Sequence, residues 1–200
     1  MPKIVQHDER REAIARAAWR TIARAGVEAS TVRAIARDAG CSTGVLQHYF
    51  PAKDALLLHA LRLVTRQTGG RMADRARGTR GLAALRAVLH EALPLDADSR
   101  LEWRIWLAFW GRAVHDSALA AEQRRRYVEW RALLRGLLRD AQRQAELPRD
   151  LDPAREADAL VAFVDGIGLA ATLEPARMPA ARQVGAIEQY LGRMGRRTKD

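Results

Sequence analysis

Four aromatic residues in the middle of this 200-residue chain, Trp103, Trp106, Phe109 and Trp110, recur at helical spacing, which puts the three tryptophans near one face. Ring faces grouped in this way can hold a small cation, quaternary ammonium ions included, because the aromatic quadrupole attracts positive charge. An aromatic stripe on a central helix is more often its core-packing face, and composition alone favours that reading. A pocket lined by such residues would accept a cationic or an apolar small molecule. Asp165 stands inside the apolar run LVAFVDGIGLAATL, where a carboxylate must be paired, solvated or protonated. It is either a contact for a cation or a cap or interface group.

Catalytic chemistry finds no foothold. There is no glycine-rich phosphate loop and no G-x-S-x-G nucleophile turn. His7, His48, His59, His90 and His115 are scattered without metal-ligand or triad spacing, so neither a metal nor a cofactor is expected. The single cysteine, Cys41, has no internal disulfide partner and suits a reducing compartment.

The elements that must position these groups are helical throughout, since no segment alternates with period two over more than a few residues. Asp8 to Ala25 forms an amphipathic helix ended by Gly26, after a mobile arm of residues 1–7 in which Lys3 is available to a phosphate. Thr31 is an N-cap candidate for a short helix carrying Val32, Ile35, Ala36 and Ala39 at helical spacing. Gly40 follows as a left-handed cap. Ser42 or Thr43 then caps a second short helix, which Pro51 stops. Two short helices joined by a tight turn of this kind make a helix-turn-helix, whose second helix fits the DNA major groove. By spacing alone, the hairpin is also compatible with plain helix packing.

Further on, a helix runs from Lys53 to about Arg66, and the glycines at 69, 70, 78 and 81 mark a loop or frayed helix. Leu82 to Leu93 is the next helix. Ser99 caps one that reaches about His115, and Ala118 to about Ala145 is a long helix. Ala154 to Leu173 is apolar nearly all round, and Ala180 to about Met194 is amphipathic. The expected fold class is all-α: a three-helix head over residues 1–52, then a helical body over 53–200. A helix apolar on every side needs more cover than one chain of this length readily supplies, so residues 159–173 and the last helix are expected to pair with a second copy; the alternative is a buried central helix of a monomer. Phe163, Ile167, Leu169, Ile187 and Leu191 are the expected dimer-interface residues.

Charge fits a polyanionic partner. The chain carries a formal +10, and residues 1–66 hold 11 Lys+Arg against 6 Asp+Glu, making the N-terminal third the more basic per residue. Only Lys3, Lys53 and Lys199 are lysines among the 34 basic residues, a compositional bias rather than a nucleic-acid stripe. With no uninterrupted apolar run of 18 residues and no charged-then-apolar leader, a soluble cytoplasmic protein without a membrane span is expected, nucleoid-associated when bound to DNA.

The run STGVLQHYFPAKDALL, Ser42 to Leu57, resembles the recognition helix and following helix start of the TetR family of bacterial repressors. Ser42, Thr43, Gly44, His48, Tyr49 and Phe50 are most similar to its BetI-like branch; Val45 and Gln47 depart from the commoner residues at two base-facing positions. The resemblance implies a homodimeric repressor that binds a palindromic double-stranded operator and is released by a small-molecule effector. It assigns base contact to Thr43, Gly44, Val45 and Gln47. Glutamine can pair bidentately with adenine, threonine can donate or accept, and valine can touch a thymine methyl. Thr31, His48, Tyr49 and Lys53 are implied at the phosphate backbone, which positions without reading sequence, and Ser42 is implied among the DNA-binding residues. Leu46 and Phe50 are expected in the core. The branch's likeness to a choline-responsive repressor makes Trp103, Trp106, Phe109 and Trp110 the effector pocket. The rival reading is a basic helical module that binds nucleic acid or an anionic membrane surface, with strong salt dependence and little sequence preference.

Overall fold

The computed structural model describes residues 3–196. Among them the chain forms nine helices and no strand: α1 (Lys3–Ala29), α2 (Val32–Asp38), α3 (Thr43–Tyr49), α4 (Lys53–Ala76), α5 (Gly81–Glu91), α6 (Ala97–Ala113), α7 (Ser117–Arg143), α8 (Pro153–Leu173) and α9 (Ala180–Arg196). Two compact units emerge. One comprises Met1–Gln67 with Arg104–Leu119; the other comprises Thr68–Trp103 with Ala120–Asp200. The expected boundary at 52/53 falls inside the first of these.

The first unit contains α1 to α3. Ile14, Ala15, Ala17, Ala18 and Ile22 of α1 are buried, as are Ile35 and Ala36 of α2, so small side chains fill much of the contact between these helices. Thr21 donates to Asp38 Oδ2 at 2.9 Å, and Arg24 pairs with the same carboxylate, tying α1 to the end of α2. Helical backbone begins at Lys3 rather than Asp8, correcting the mobile arm over residues 1–7; Met1, Pro2 and the Lys3 side chain lie outside the described residues. Helical geometry then breaks at Gly26, whose φ of 79° is open to a residue without Cβ.

In the second unit α4 continues to Ala76, straight through Gly69 and Gly70, where the glycines alone suggested a loop. Each interior glycine costs about 1 kcal/mol against alanine. The helix is held across this stretch by tertiary contacts: Arg71 Nε donates to Glu91 Oε1 at 2.6 Å, Arg71 Nη2 to Glu102 Oε2 at 2.7 Å, and Met72 is buried. Gly81 opens α5, its amide donating to Asp140 Oδ2 at 2.8 Å, while the Leu82 amide donates to Glu146 Oε2 at 2.7 Å. These carboxylates, one from the last turns of α7 and one from the turn that follows it, do the work of a local cap. Asp96, not Ser99, caps α6: the Ser99 amide donates to Asp96 Oδ1 at 2.7 Å and the Asp96 amide to Ser99 Oγ at 3.0 Å, a reciprocal box. That hydrogen bond from the Ser99 amide holds the Asp96 carboxyl below its usual range.

Candidate DNA-binding helix and body sites

Local rules suffice to build α3. Thr31 Oγ1 accepts from the Ala34 amide at 3.1 Å at the start of α2. At its end Gly40 takes φ 60°, with Cys41 N donating to Ala36 O and Gly40 N to Arg37 O, the two bonds of a left-handed terminator. Ser42, of the two candidates, is the cap of α3, accepting from the Val45 amide at 3.2 Å. The chain thus reverses in four residues without needing a distant contact.

Burial then divides α3 sharply. Leu46 is 1% exposed and Phe50 2%, with the Arg11 guanidinium 5.2 Å from the Phe50 ring centre. Thr31, Ser42, Thr43, Gly44, Gln47 and His48 are exposed, as is Val45 at 39%. Tyr49 is half-buried, its ring 4.7 Å from that of His7 and 5.4 Å from that of His48. Lys53, at the first position of α4, is also half-buried. One turn of helix is anchored by two apolar residues and offers threonine, glycine, valine and glutamine outward. Cys41 lies beside this turn with intermediate exposure.

The four aromatic residues of α6 do not fall within one unit. Trp103 belongs with the second; Trp106, Phe109 and Trp110 belong with the first. Trp103 is fixed on two sides: its Nε1 donates to Ala92 O at 2.9 Å, and a Cβ placed on Gly168 would lie 2.1 Å from its Cη2 and Cζ2. Gly168 is therefore a seat for the indole. Phe109 lines a cavity of about 20 Å³ with Ile22, Leu57, Leu61, Ile105 and Leu119, room for roughly one water molecule.

Asp165 is paired rather than free. Tyr127 Oη donates to its Oδ2 at 2.6 Å, yet burial pushes the Asp165 carboxyl above the usual range despite that bond and the nearby Arg126 charge. Burial likewise raises the Tyr127 hydroxyl and lowers Arg126 to about 10. Sequence reasoning missed a second polar cluster in the same unit, in which Thr68 and Arg71 of α4 meet Glu91 and Glu102. No local motif marks residues separated by 20 to 34 positions.

Most of the expected dimer surface is already covered within the single chain. Ile167 of α8 is 5% exposed within the single chain, and Ile187 and Leu191 are 0% and 2% exposed because α9 turns its apolar stripe to its own neighbours, α5 among them. Phe163 is half-buried, its ring 4.8 Å from that of Tyr190. Of the five, Leu169 alone is exposed, at 42%. The open face of α8 instead carries Ala159, Ala162, Gly166, Leu169 and Leu173.

Comparison with known proteins agrees with this geometry. Residues 14–60 match the model of bacterial regulatory proteins of the tetR family, and residues 81–196 match that of the C-terminal part of BetI-type transcriptional repressors. The chain is 34% identical to the HTH-type transcriptional regulator PksA of Bacillus subtilis over 96% of its own length and 92% of that protein's. It is 30% identical to the HTH-type transcriptional regulator BetI of Vibrio parahaemolyticus over 96% and 94%. A transcriptional regulator from Saccharomonospora viridis, solved in complex with choline, superposes with a TM-score of 0.87 at 25% identity, covering 92% of this chain and 96% of that one. This chain belongs to the TetR family of bacterial regulatory proteins, with a C-terminal domain of the BetI type: a helix-turn-helix transcriptional regulator and not an enzyme.

Proposed function

We propose that the protein is a homodimeric repressor that reads a palindromic operator through α3 and leaves it when a small organic cation binds the body. The observation that carries the DNA reading is the split on α3, where Leu46 and Phe50 hold the helix and Thr43, Gly44, Val45 and Gln47 face outward. Gln47 pairs with an adenine edge, Thr43 and Val45 contact neighbouring bases, and Gly44 lets backbone approach backbone. Thr31, Ser42, His48, Tyr49 and Lys53 set the register on phosphates. Thr31 and Ser42 accept from their own helix amides, which leaves each hydroxyl hydrogen to donate.

The partner face we assign to the second copy is the α8 stripe of Ala159, Ala162, Gly166, Leu169 and Leu173, whose small residues allow close helix approach. Two recognition helices on one scaffold then read two half-sites with combined affinity. Choline in the Saccharomonospora viridis relative supports a quaternary ammonium effector. Such a ligand weakens DNA binding only by its differential affinity for the free and bound arrangements. The 116 residues matching the BetI-type model, residues 81–196, support placing that effector function in the body.

Footprinting on the DNA flanking the gene identifies the operator. Gln47→Ala then loses about 10- to 100-fold of operator affinity while keeping the wild-type melting temperature, since one bidentate base contact is worth about 1–3 kcal/mol. Unchanged sequence preference in that variant, or equal displacement by random competitor DNA, defeats the reading in favour of salt-driven, non-specific binding.

A further inference from the structure

The polar cluster of the second unit contains an acceptor left over. Glu102 is 3% exposed, and its two carboxylate oxygens are treated differently. Oε2 takes two donors, Arg71 Nη2 at 2.7 Å and Thr68 Oγ1 at 3.0 Å, both from α4. Among the described residues no group donates to Oε1, which is sealed from solvent. A buried carboxylate oxygen without a donor is costly, and a ligand that supplies one recovers that cost as affinity.

The charge around it favours a cation. Glu102, Glu91 and Asp96 all lean on Arg71, whose guanidinium is held charged well above its ordinary range, first by the hydrogen bond to Glu102 and also by that to Glu91. The other guanidinium on Glu91, Arg75, is 71% exposed, where a solvated charge counts for little. Trp103, the residue after Glu102, is pinned against Gly168 and Ala92. With the helix so fixed, the carboxylate has little freedom to rotate toward another donor.

We propose that Glu102 Oε1 is the polar anchor of the effector, taking a hydrogen bond from a hydroxyl or N–H donor carried by a small organic cation. This rests on the proposed effector-responsive reading and narrows it, because a quaternary ammonium group has no donor of its own and the anchor selects ligands that add one. The other oxygen of the same carboxylate is bound by Arg71 and Thr68, so occupancy of Oε1 weakens the hold of Glu102 on α4. That is the helix whose first residue, Lys53, is proposed to meet phosphate.

The test compares three probes by calorimetry and by operator release: choline, its O-methyl ether, which lacks the donor, and trimethylglycine, in which a carboxylate replaces the hydroxymethyl group. Wild-type protein should bind choline at least about 10-fold more tightly than the ether, as expected for a bond to a buried charge. In Glu102→Gln, Arg71 and Thr68 still require an acceptor, so the amide oxygen turns to them and the NH2 group takes the place of Oε1. A donor then stands where an acceptor stood. The preference for choline over the ether should vanish, with relative affinity shifting toward trimethylglycine. Equal wild-type affinity for choline and the ether, or an unchanged preference in Glu102→Gln, overturns the anchor and leaves the cationic effector standing. Failure of all three probes to bind wild type removes the cationic effector and the anchor together. If the variant does not fold, the wild-type comparison of choline with its ether decides alone.

Discussion

The turns after α2 and after α7 share one backbone design built from different residues. After α2, Gly40 sits at φ 60° with Cys41 N bonded to Ala36 O; after α7, Ala145 sits at φ 58° with Glu146 N bonded to Ala141 O at 2.9 Å. In the first case a residue without Cβ occupies the left-handed position at no steric cost. In the second an alanine is forced there. What forces it is tertiary: Glu146 caps the Leu82 amide, and Gln142 Nε2 donates at 2.8 Å to both Pro148 O and Leu151 O, stitching the loop that leads to α8. The hairpin that presents α3 is thus locally determined, whereas the body holds its turns by contacts between distant segments.

Substitution at the two terminators breaks or sharpens this contrast. Gly40→Ala should cost about 1–2 kcal/mol, the penalty of an L-residue in the left-handed region, because nothing lies within 4 Å of the added Cβ to obstruct it. Chemical denaturation measures this, and a neutral result would mean the hairpin does not depend on its local cap. Ala145→Gly is the converse, releasing the strain but loosening the unfolded chain, for a net gain of about 0.5–1 kcal/mol. A loss instead would show that the α7 turn is unstrained despite its φ.

The smallest effect is confined to pH. Burial raises Asp165 above its unfolded value near 3.8, so its contribution to stability is fully present below that value and is lost as pH rises through the folded one. Asp165→Asn, which keeps an acceptor for Tyr127, should melt higher than wild type at neutral pH and lose that advantage in acid. A pH-independent difference would mean the carboxylate is solvated. Asp96 has the opposite sign, its stabilising effect fading as pH falls.

How much of this could be read in advance follows the same division. Thr31, Gly40 and Ser42 act through neighbours three to five residues away, so their roles as caps and terminator were legible from spacing, and the apolar spacing of Leu46 and Phe50 marked them as core. The continuation of α4 through Gly69 and Gly70 was not, since Arg71 gains its partners from Glu91 and Glu102. The apolar pattern of α9 showed that Ile187 and Leu191 must be covered; only the packed chain showed that helices of the same chain cover them. For Trp103, Trp106, Phe109 and Trp110 the shared helix was readable and the division between units was not.

By itself the sequence determined the all-helical class and the capped hairpin of two short helices, because hydrogen bonds and periodicity within a few residues are sufficient for each; the outward residues of α3 were implied by the resemblance of Ser42 to Leu57 to the TetR family. The tertiary structure alone decided which apolar faces remain open, how Asp165 is paired and that one oxygen of Glu102 has no donor among the described residues. Those depend on side chains that meet across tens of residues, where burial raises the value of every matched polar group and the cost of every unmatched one.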